Sequence, residues 1–182
     1  NIAYVTMATE GNAADFGDIT VGRTSISGAS NSTRGVFMGG LTPTRLNVID
    51  YITIASTGNA IDFGNLTRAI GSAAGVASPT RALKGGGNTP YVAEIDKIEI
   101  ATTGNAIDFG TARKYGGTSS NSVKGLYAGG GDGDSTLFNT IDQFEITTGG
   151  TSTDFGDLSV TRGNVQNGVL SQSHGGLNEG YQ

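Results

Sequence analysis

The sequence predicts an all-β protein, a β-propeller of four-stranded antiparallel blades, and three observations predict it. The triplet Asp-Phe-Gly occurs four times, once every 46 or 47 residues, a period typical of propeller blades. The 182 residues include 31 glycines but only 3 prolines and no cysteine. Short runs of β-branched and aromatic residues alternate with clusters of Gly, Asn and Ser, which indicates many short strands joined by tight turns.

The first complete repeat unit covers residues 23–67, and it divides into four candidate strands. A variable loop and the turn Thr57-Gly58-Asn59 separate the later segments. The four segments are Arg23–Ser30, Arg34–Gly40, Val48–Ala55 and Ala60–Thr67. Each unit is therefore expected to form one antiparallel sheet of the size of a propeller blade.

The remaining chain repeats this pattern. Residues 68–112 and 113–158 form the second and third units, and a fourth unit joins residues 159–182 to residues 1–22. The chain opens at a third strand and stops after a second one, so pairing the two ends removes two open sheet edges. We expect one domain over residues 1–182, a ring of four blades closed by the N- and C-terminal strands. The alternative is a stretch of a longer propeller or repeat array.

The repeated triplet is interpreted as structural. It matches the magnesium-binding motif of protein kinases, but the catalytic motifs that accompany it in kinases are absent. We expect each Phe to pack between neighbouring blades and each Gly to allow a bulge or a close backbone approach. Each Asp is expected to accept turn amides or to pair with the arginine that opens the next unit. The residues are Phe16, Phe63, Phe109 and Phe155; Asp15, Asp62, Asp108 and Asp154; and Arg23, Arg68 and Arg113.

The arrangement of Arg23, the pair Gly39-Gly40, Tyr51 and Phe63 resembles the kelch repeat family. Kelch repeats have a tryptophan where this chain has Phe63, and the departure recurs in every copy. The segment Ile52–Gly64 is also similar to repeats in virion and tail-fibre proteins of aquatic bacteriophages. These resemblances imply a propeller fold and an extracellular or virion-borne structural role.

The loop between the second and third strands varies most between units. Variable loops on a rigid scaffold are typical of binding surfaces. The candidate ligand-binding residues in these loops are Arg45, Tyr91, Phe138 and Tyr181. We expect a non-enzymatic structural or adhesion module that binds other assembly proteins or a cell-surface glycan. The alternative is a propeller-based glycoside hydrolase or lyase, which requires two carboxylates about 5–10 Å apart.

Other kinds of site have little support in the sequence. Asp132 and Asp134 form a weak calcium candidate that lacks the distal Glu of a helix-loop-helix site. His174 is the sole histidine, and no catalytic residue or cofactor is predicted. The net charge of -5, with scattered Lys and Arg, disfavours nucleic acid binding. No apolar run approaches the roughly 18 residues of a membrane-spanning helix.

Overall fold

The structure is a computed structural model that describes residues 1–87, 93–111, 116–131 and 136–162. These residues form strands and turns without any helix, so the predicted all-β class is confirmed. The strands are β1 (Ile2–Tyr4), β2 (Ala14–Gly17), β3 (Ser27–Ser30), β4 (Arg34–Leu41), β5 (Arg45–Thr53), β6 (Ile61–Asn65), β7 (Ala74–Ala77), β8 (Arg81–Gly85), β9 (Glu94–Glu99), β10 (Ile107–Thr111), β11 (Gly117–Ser120), β12 (Lys124–Ala128), β13 (Thr140–Glu145), β14 (Gly150–Thr151) and β15 (Thr153–Asp157).

The strands pair into four sheets that follow the predicted units. The N-terminal half-sheet is β1 with β2, and the first sheet runs β3-β4-β5-β6. The second sheet runs β7-β8-β9-β10, and the third sheet runs β11-β12-β13-β15. Pairing is antiparallel throughout these sheets, while the short strand β14 adds to β10 in parallel. Each complete sheet is thus an up-and-down meander of four strands.

The N-terminal half-sheet repeats the outer half of a complete sheet. The rings of Tyr4 and Phe16 meet edge to face with centroids 5.9 Å apart. Tyr51 and Phe63 meet at the same centroid distance of 5.9 Å in the first sheet. Strands β1 and β2 therefore correspond to β5 and β6.

Hydrophobic residues are buried between the sheets. One cluster lies between the first and second sheets and the other between the second and third, because alternate residues of each strand face a different neighbour. The first cluster contains Val36, Met38, Ile49, Phe63, Leu66, Ile70, Ala82, Ile98, Ile100 and Ala106. The second contains Val76, Leu83, Ile95, Tyr127, Phe144 and Ile146.

The first strands of successive sheets lie side by side, β3 against β7 and β7 against β11. A Cβ on Gly75 would overlap the carbonyl oxygen of Gly28. The hydroxyl of Thr118 donates to the carbonyl of Gly75 at 3.0 Å, and Ser120 donates to that of Ala77 at 2.9 Å. Small residues in these strands thus allow the sheets to approach closely.

The glycine pairs at the ends of the second strands also mark close approaches, as predicted. A Cβ on Gly39 would overlap the carbonyl oxygen of Ile70. A Cβ on Gly40 would lie 2.9 Å from the carbonyl oxygen of Thr24. Both glycines also have positive φ angles, of 61° and 128°, which side-chain-bearing residues rarely adopt.

Ring closure is not shown by the described residues. A closed ring would place β15 against the N-terminal half-sheet, and within the described ranges no hydrogen bond or strand pairing joins the two. Residues 163–182, which were assigned to the fourth unit, lie outside the described residues. Closure therefore stays a prediction.

Candidate functional site

Successive sheets are joined at their outer edges by one repeated set of main-chain hydrogen bonds, here called the edge contact. The strand that carries the Asp-Phe-Gly triplet supplies carbonyl groups, and the next sheet supplies amides from a Gly-Asn-Ala turn or, in the third sheet, from the segment Gly150-Thr151-Ser152. The bonds run from Gly58 to Phe16 (2.7 Å), Ala60 to Asp18 (2.8 Å), Gly104 to Phe63 (2.8 Å), Ala106 to Asn65 (2.8 Å) and Ser152 to Thr111 (3.0 Å). The same pair of bonds thus occurs twice, and one bond of the pair recurs between the second and third sheets.

The triplet glycine and the turn asparagine complete the edge contact. A Cβ on Gly64 would overlap the carbonyl oxygen of Gly104, and Gly17 and Gly110 are equally close to Gly58 and Gly150. The Asn105 side-chain oxygen accepts the amide of Asn65 at 3.0 Å, and Asn59 does the same for Asp18. The predicted bulges are also present, as register shifts where β5, β9 and β13 pair with triplet strands. The predicted role of the glycine is confirmed.

The triplet phenylalanines are not equally covered. Phe16 and Phe63 are 8% and 2% exposed, and Phe109 is half-buried. Phe155 is 59% exposed, and no turn of another sheet lies against it within the described residues. The most exposed of the four is therefore the one that has no following sheet within the described residues.

The triplet aspartates lie on the surface. The carboxylates of Asp108 and Asp154 accept the amides of Gly110 and Gly156 at 3.2 Å, as expected of turn acceptors. Asp15 accepts the side-chain amide of Asn1 at 3.2 Å, and Asp62 is exposed. The described arginines that were expected to pair with them, Arg23 and Arg68, bind other carboxylates instead.

Sequence reasoning missed a second set of aspartates, which is buried between the sheets. Asp50, Asp96 and Asp142 occupy the same position in the third strands β5, β9 and β13. Asp50 forms an ion pair with Arg23 at 2.8 Å, and both side chains are fully buried. The hydroxyl of Thr20 also donates to Asp50. The signal was available, since an Ile-Asp pair recurs every 46 residues.

Arg23 has no arginine counterpart in the next unit. Its side chain packs against Gly40, and Ile70 packs in the same way against Gly87. Arg68 lies two residues earlier and forms an exposed ion pair with Glu94 at 2.8 Å. The spacing of arginines in the sequence thus suggested an equivalence that the structure does not have.

Lys84 is buried beside Asp96 between the first and second sheets. Burial lowers the pKa of Lys84 to about 8, against the attraction of Asp96 and Glu94. Burial also raises the pKa of Asp96, which accepts hydrogen bonds from Thr67. The interface between the first and second sheets therefore contains a polar contact of Lys84 with Asp96. The interface between the half-sheet and the first sheet contains the ion pair of Arg23 and Asp50 instead.

The predicted loop residues that the structure describes lie at one end of their sheets, here called the loop end, which comprises the described residues 42–45, 86–87, 93, 129–131 and 136–139. Arg45 begins β5 opposite Leu41 and is half-buried. Phe138 is half-buried, and its carbonyl accepts the amide of Arg162 at 3.0 Å. The matching bond runs from Ile70 to Leu46 at 3.1 Å, so the two loops leave their sheets at equivalent places. Tyr91, Tyr181, Asp132, Asp134 and His174 lie outside the described residues.

A groove of about 220 Å³ lies on the outer edge between the first and second sheets. Its walls include Phe63, Lys97, Glu99, Asn105 and Ile107. Lys97 binds Glu99 at 2.9 Å, and Arg81 binds the same oxygen at 2.9 Å. Burial opposes ionisation of Glu99, but these two hydrogen bonds outweigh it and hold its pKa below the usual value. The Glu99 carboxylate in this groove is thus already bound by Lys97 and Arg81.

The described residues lack two further kinds of site. They contain no group of three or more His, Cys, Asp or Glu side chains that could hold a metal ion. A helix long and apolar enough to cross a membrane is also absent from this part of the chain.

Comparison with known proteins does not identify a family. No family model matches the chain, and no curated protein matches it significantly. The resemblance to kelch and phage repeats thus stays a prediction, and function is argued from the geometry.

Proposed function

We propose that this chain is a non-enzymatic structural and adhesion module whose loop end binds a glycan or a protein partner. The observation that carries the proposal is the contrast between repeated and variable parts. The edge contact recurs between successive sheets, twice with the same Gly-Asn-Ala turn, whereas the loop-end connections differ in length and sequence. A rigid scaffold with variable loops suits recognition.

The proposed arrangement of the sheets is that of blades in a β-propeller. It is supported by the side-by-side first strands β3, β7 and β11 and by the repeated edge contact on the other side of the sheets. A four-bladed ring closed by the chain ends and an open stretch of a longer array are both compatible with these contacts. The proposed setting, a virion or another extracellular assembly, rests on the resemblance of Ile52–Gly64.

Binding has more support than hydrolysis. A glycoside hydrolase needs two carboxylates that converge on a cleft. The buried carboxylates of Asp50 and Asp96 instead accept hydrogen bonds from Thr20 and Thr67 across the sheet interfaces. Because Asp50 and Asp96 occupy the same position in successive repeats and bridge adjacent sheets, a structural role explains both residues.

A glycan array tests the proposed adhesion function, with purified assembly proteins as a second panel. The matched pair of variants is Leu137→Ala at the loop end and Val123→Ala in the opposite hairpin, since the two side chains are 47% and 46% exposed. We expect Leu137→Ala and Arg45→Ala to weaken binding at least fivefold and Val123→Ala to leave it unchanged. Equal effects of Leu137→Ala and Val123→Ala would contradict a loop-end site.

A further inference from the structure

The third sheet ends in an exposed copy of the acceptor side of the edge contact. Phe155, Gly156 and Asp157 occupy the positions of Phe63, Gly64 and Asn65 in the first sheet. Gly156 has a φ of 148°, close to the 145° of Gly64. A Cβ on Gly156 nevertheless meets nothing within 4 Å in the described part of the chain. The third sheet therefore has the backbone shape of a docking strand, and no turn among the described residues is docked on it.

The N-terminal half-sheet carries the complementary donor side. Gly11, Asn12 and Ala13 repeat the turn Gly58-Asn59-Ala60. In the described residues the Gly11 and Ala13 amides take part in no edge contact, and a Cβ on Gly11 meets nothing within 4 Å. One molecule thus displays both halves of an interface that it uses twice internally with the same Gly-Asn-Ala turn.

Side chains flanking the two surfaces indicate the same interface. Arg34 donates to the carbonyl of Ile100 in the next sheet at 2.8 Å, and Arg81 donates to that of Ile146 at 3.0 Å. Lys124 stands at the equivalent position of the third sheet with its side chain 47% exposed. Met7 stands at the position of Ile54, Ile100 and Ile146 and is 94% exposed. Ile100 and Ile146 follow a complete sheet and are fully buried, whereas Ile54 follows only the half-sheet and is 45% exposed.

We propose that the outer edge of the third sheet is a head-to-tail interface that binds the Gly11–Ala13 turn of a second copy of this chain. The proposal rests on the proposed blade arrangement. The Gly11 and Ala13 amides donate to the carbonyls of Phe155 and Asp157, and the Asn12 side chain accepts the Asp157 amide. Met7 is covered, and Lys124 reaches its carbonyl group.

A second copy is the occupant that the structure favours. Both surfaces belong to one chain, yet its own turn and its own β15 are not bonded to each other. An interface between two different surfaces of identical chains is heterologous, so repeated docking produces a ring or a filament. In such an assembly, the contact that joins sheets within one molecule would also join one molecule to the next.

Cysteine cross-linking tests this interface directly, because the chain has no cysteine of its own. The chain with Asn12→Cys is mixed with the chain with Asp157→Cys and treated with a short bis-maleimide. The internal control is the double variant Asn65→Cys/Asn105→Cys, whose residues are joined in the observed edge contact. We expect the mixture to give a heterodimer in at least fivefold excess over either homodimer, and the control to give a cross-linked monomer.

The outcomes separate this inference from the blade arrangement. If the control cross-links but the mixture gives dimers in random proportion, or gives no dimer, the head-to-tail interface is overturned. The blade arrangement is then unaffected. An unreacted control would overturn the blade arrangement itself. The double variant Asn12→Cys/Asp157→Cys, if it cross-links as a monomer, would show closure within one chain and also overturn the proposal.

Sedimentation equilibrium supplies a second measurement. We expect concentration-dependent association, weakened at least tenfold by Gly156→Ala, because a methyl group there would meet the docked turn as it would at Gly64. Gly28→Ala is the control, since its Cβ meets nothing within 4 Å and lies outside the interface. A chain that stays monomeric at all concentrations would overturn the inference.

Discussion

At the scale of single residues, Phe63 has the largest buried side chain of the cluster between the first and second sheets. Phe63 is 2% exposed and touches the ring of Tyr51 edge to face. We expect Phe63→Ala to lower the free energy of unfolding by about 3–5 kcal/mol, as measured for other buried aromatics. Ile61→Ala, in the same strand and 59% exposed, is the control in chemical denaturation. A loss below about 1 kcal/mol for Phe63→Ala would show that the ring is not in a packed core.

The buried ion pair of Arg23 and Asp50 is expected to make the effects of substituting the two residues on the free energy of unfolding non-additive. Asp50→Ala leaves a buried guanidinium without its carboxylate, so we expect a loss of about 3–5 kcal/mol. The double variant Arg23→Ile/Asp50→Ala removes both charges and places at position 23 the residue type found at the equivalent Ile70. It should be more stable than Asp50→Ala alone in a double-mutant cycle. Strictly additive losses would mean that the two groups do not interact.

Lys84 makes stability depend on pH between about 8 and 10. Burial lowers its pKa from 10.5 to about 8, so in this range the unfolded chain binds more protons than the folded one. Rising pH therefore favours folding through this group, by at most about 1.4 kcal/mol per pH unit. The groups that face it are Asp96, Glu94 and Arg68.

Denaturation of the wild type and Lys84→Met at pH 7, 8, 9 and 10 measures this dependence. The wild type should gain stability relative to the variant from pH 8 upward. A stability difference that stays constant across the series would contradict a depressed lysine pKa.

At the scale of elements, the closeness of neighbouring sheets can be tested at their first strands, β3 and β7. A Cβ on Gly75 in β7 would overlap the carbonyl oxygen of Gly28, whereas a Cβ on Gly28 in β3 would meet no atom within 4 Å. We expect Gly75→Ala to destabilise by about 1–3 kcal/mol through overpacking. Gly28→Ala should be neutral or slightly stabilising. Similar thermal unfolding of the two variants would mean that β3 and β7 are farther apart than described.

The four strands of each complete sheet were predictable, because each unit repeats its pattern of apolar and turn residues at a fixed period. The start of β5 at Arg45, inside the predicted loop, and the short strand β14 were not predicted. The first unit gave β3 to β6 in order, and the triplet glycine indicated the close backbone approach seen at Gly64. The equivalence of Arg23 with Ile70 was not predictable, since an aliphatic and a cationic side chain both fill the space beside a glycine pair.

At the scale of the whole molecule, the order in which sheets stack follows from contacts between residues about 40 positions apart. Sequence spacing indicated the units, but it did not indicate which polar groups join them. The triplet aspartates recur as regularly as Asp50 and Asp96, but the structure leaves the triplet aspartates in solvent and buries Asp50 and Asp96 between the sheets. The candidate loop site was predicted by position alone, and the structure describes Arg45 and Phe138 of its four residues.

The central claim is that one repeated edge contact joins each sheet to the next. Hydrogen exchange of the amides of Gly58, Ala60, Gly104 and Ala106 measures it most directly, because these groups donate between sheets and not within them. The account predicts that all four exchange as slowly as the amides in the centres of β5 and β9. Exchange at the rates of open turns, with the strand amides still protected, would contradict it.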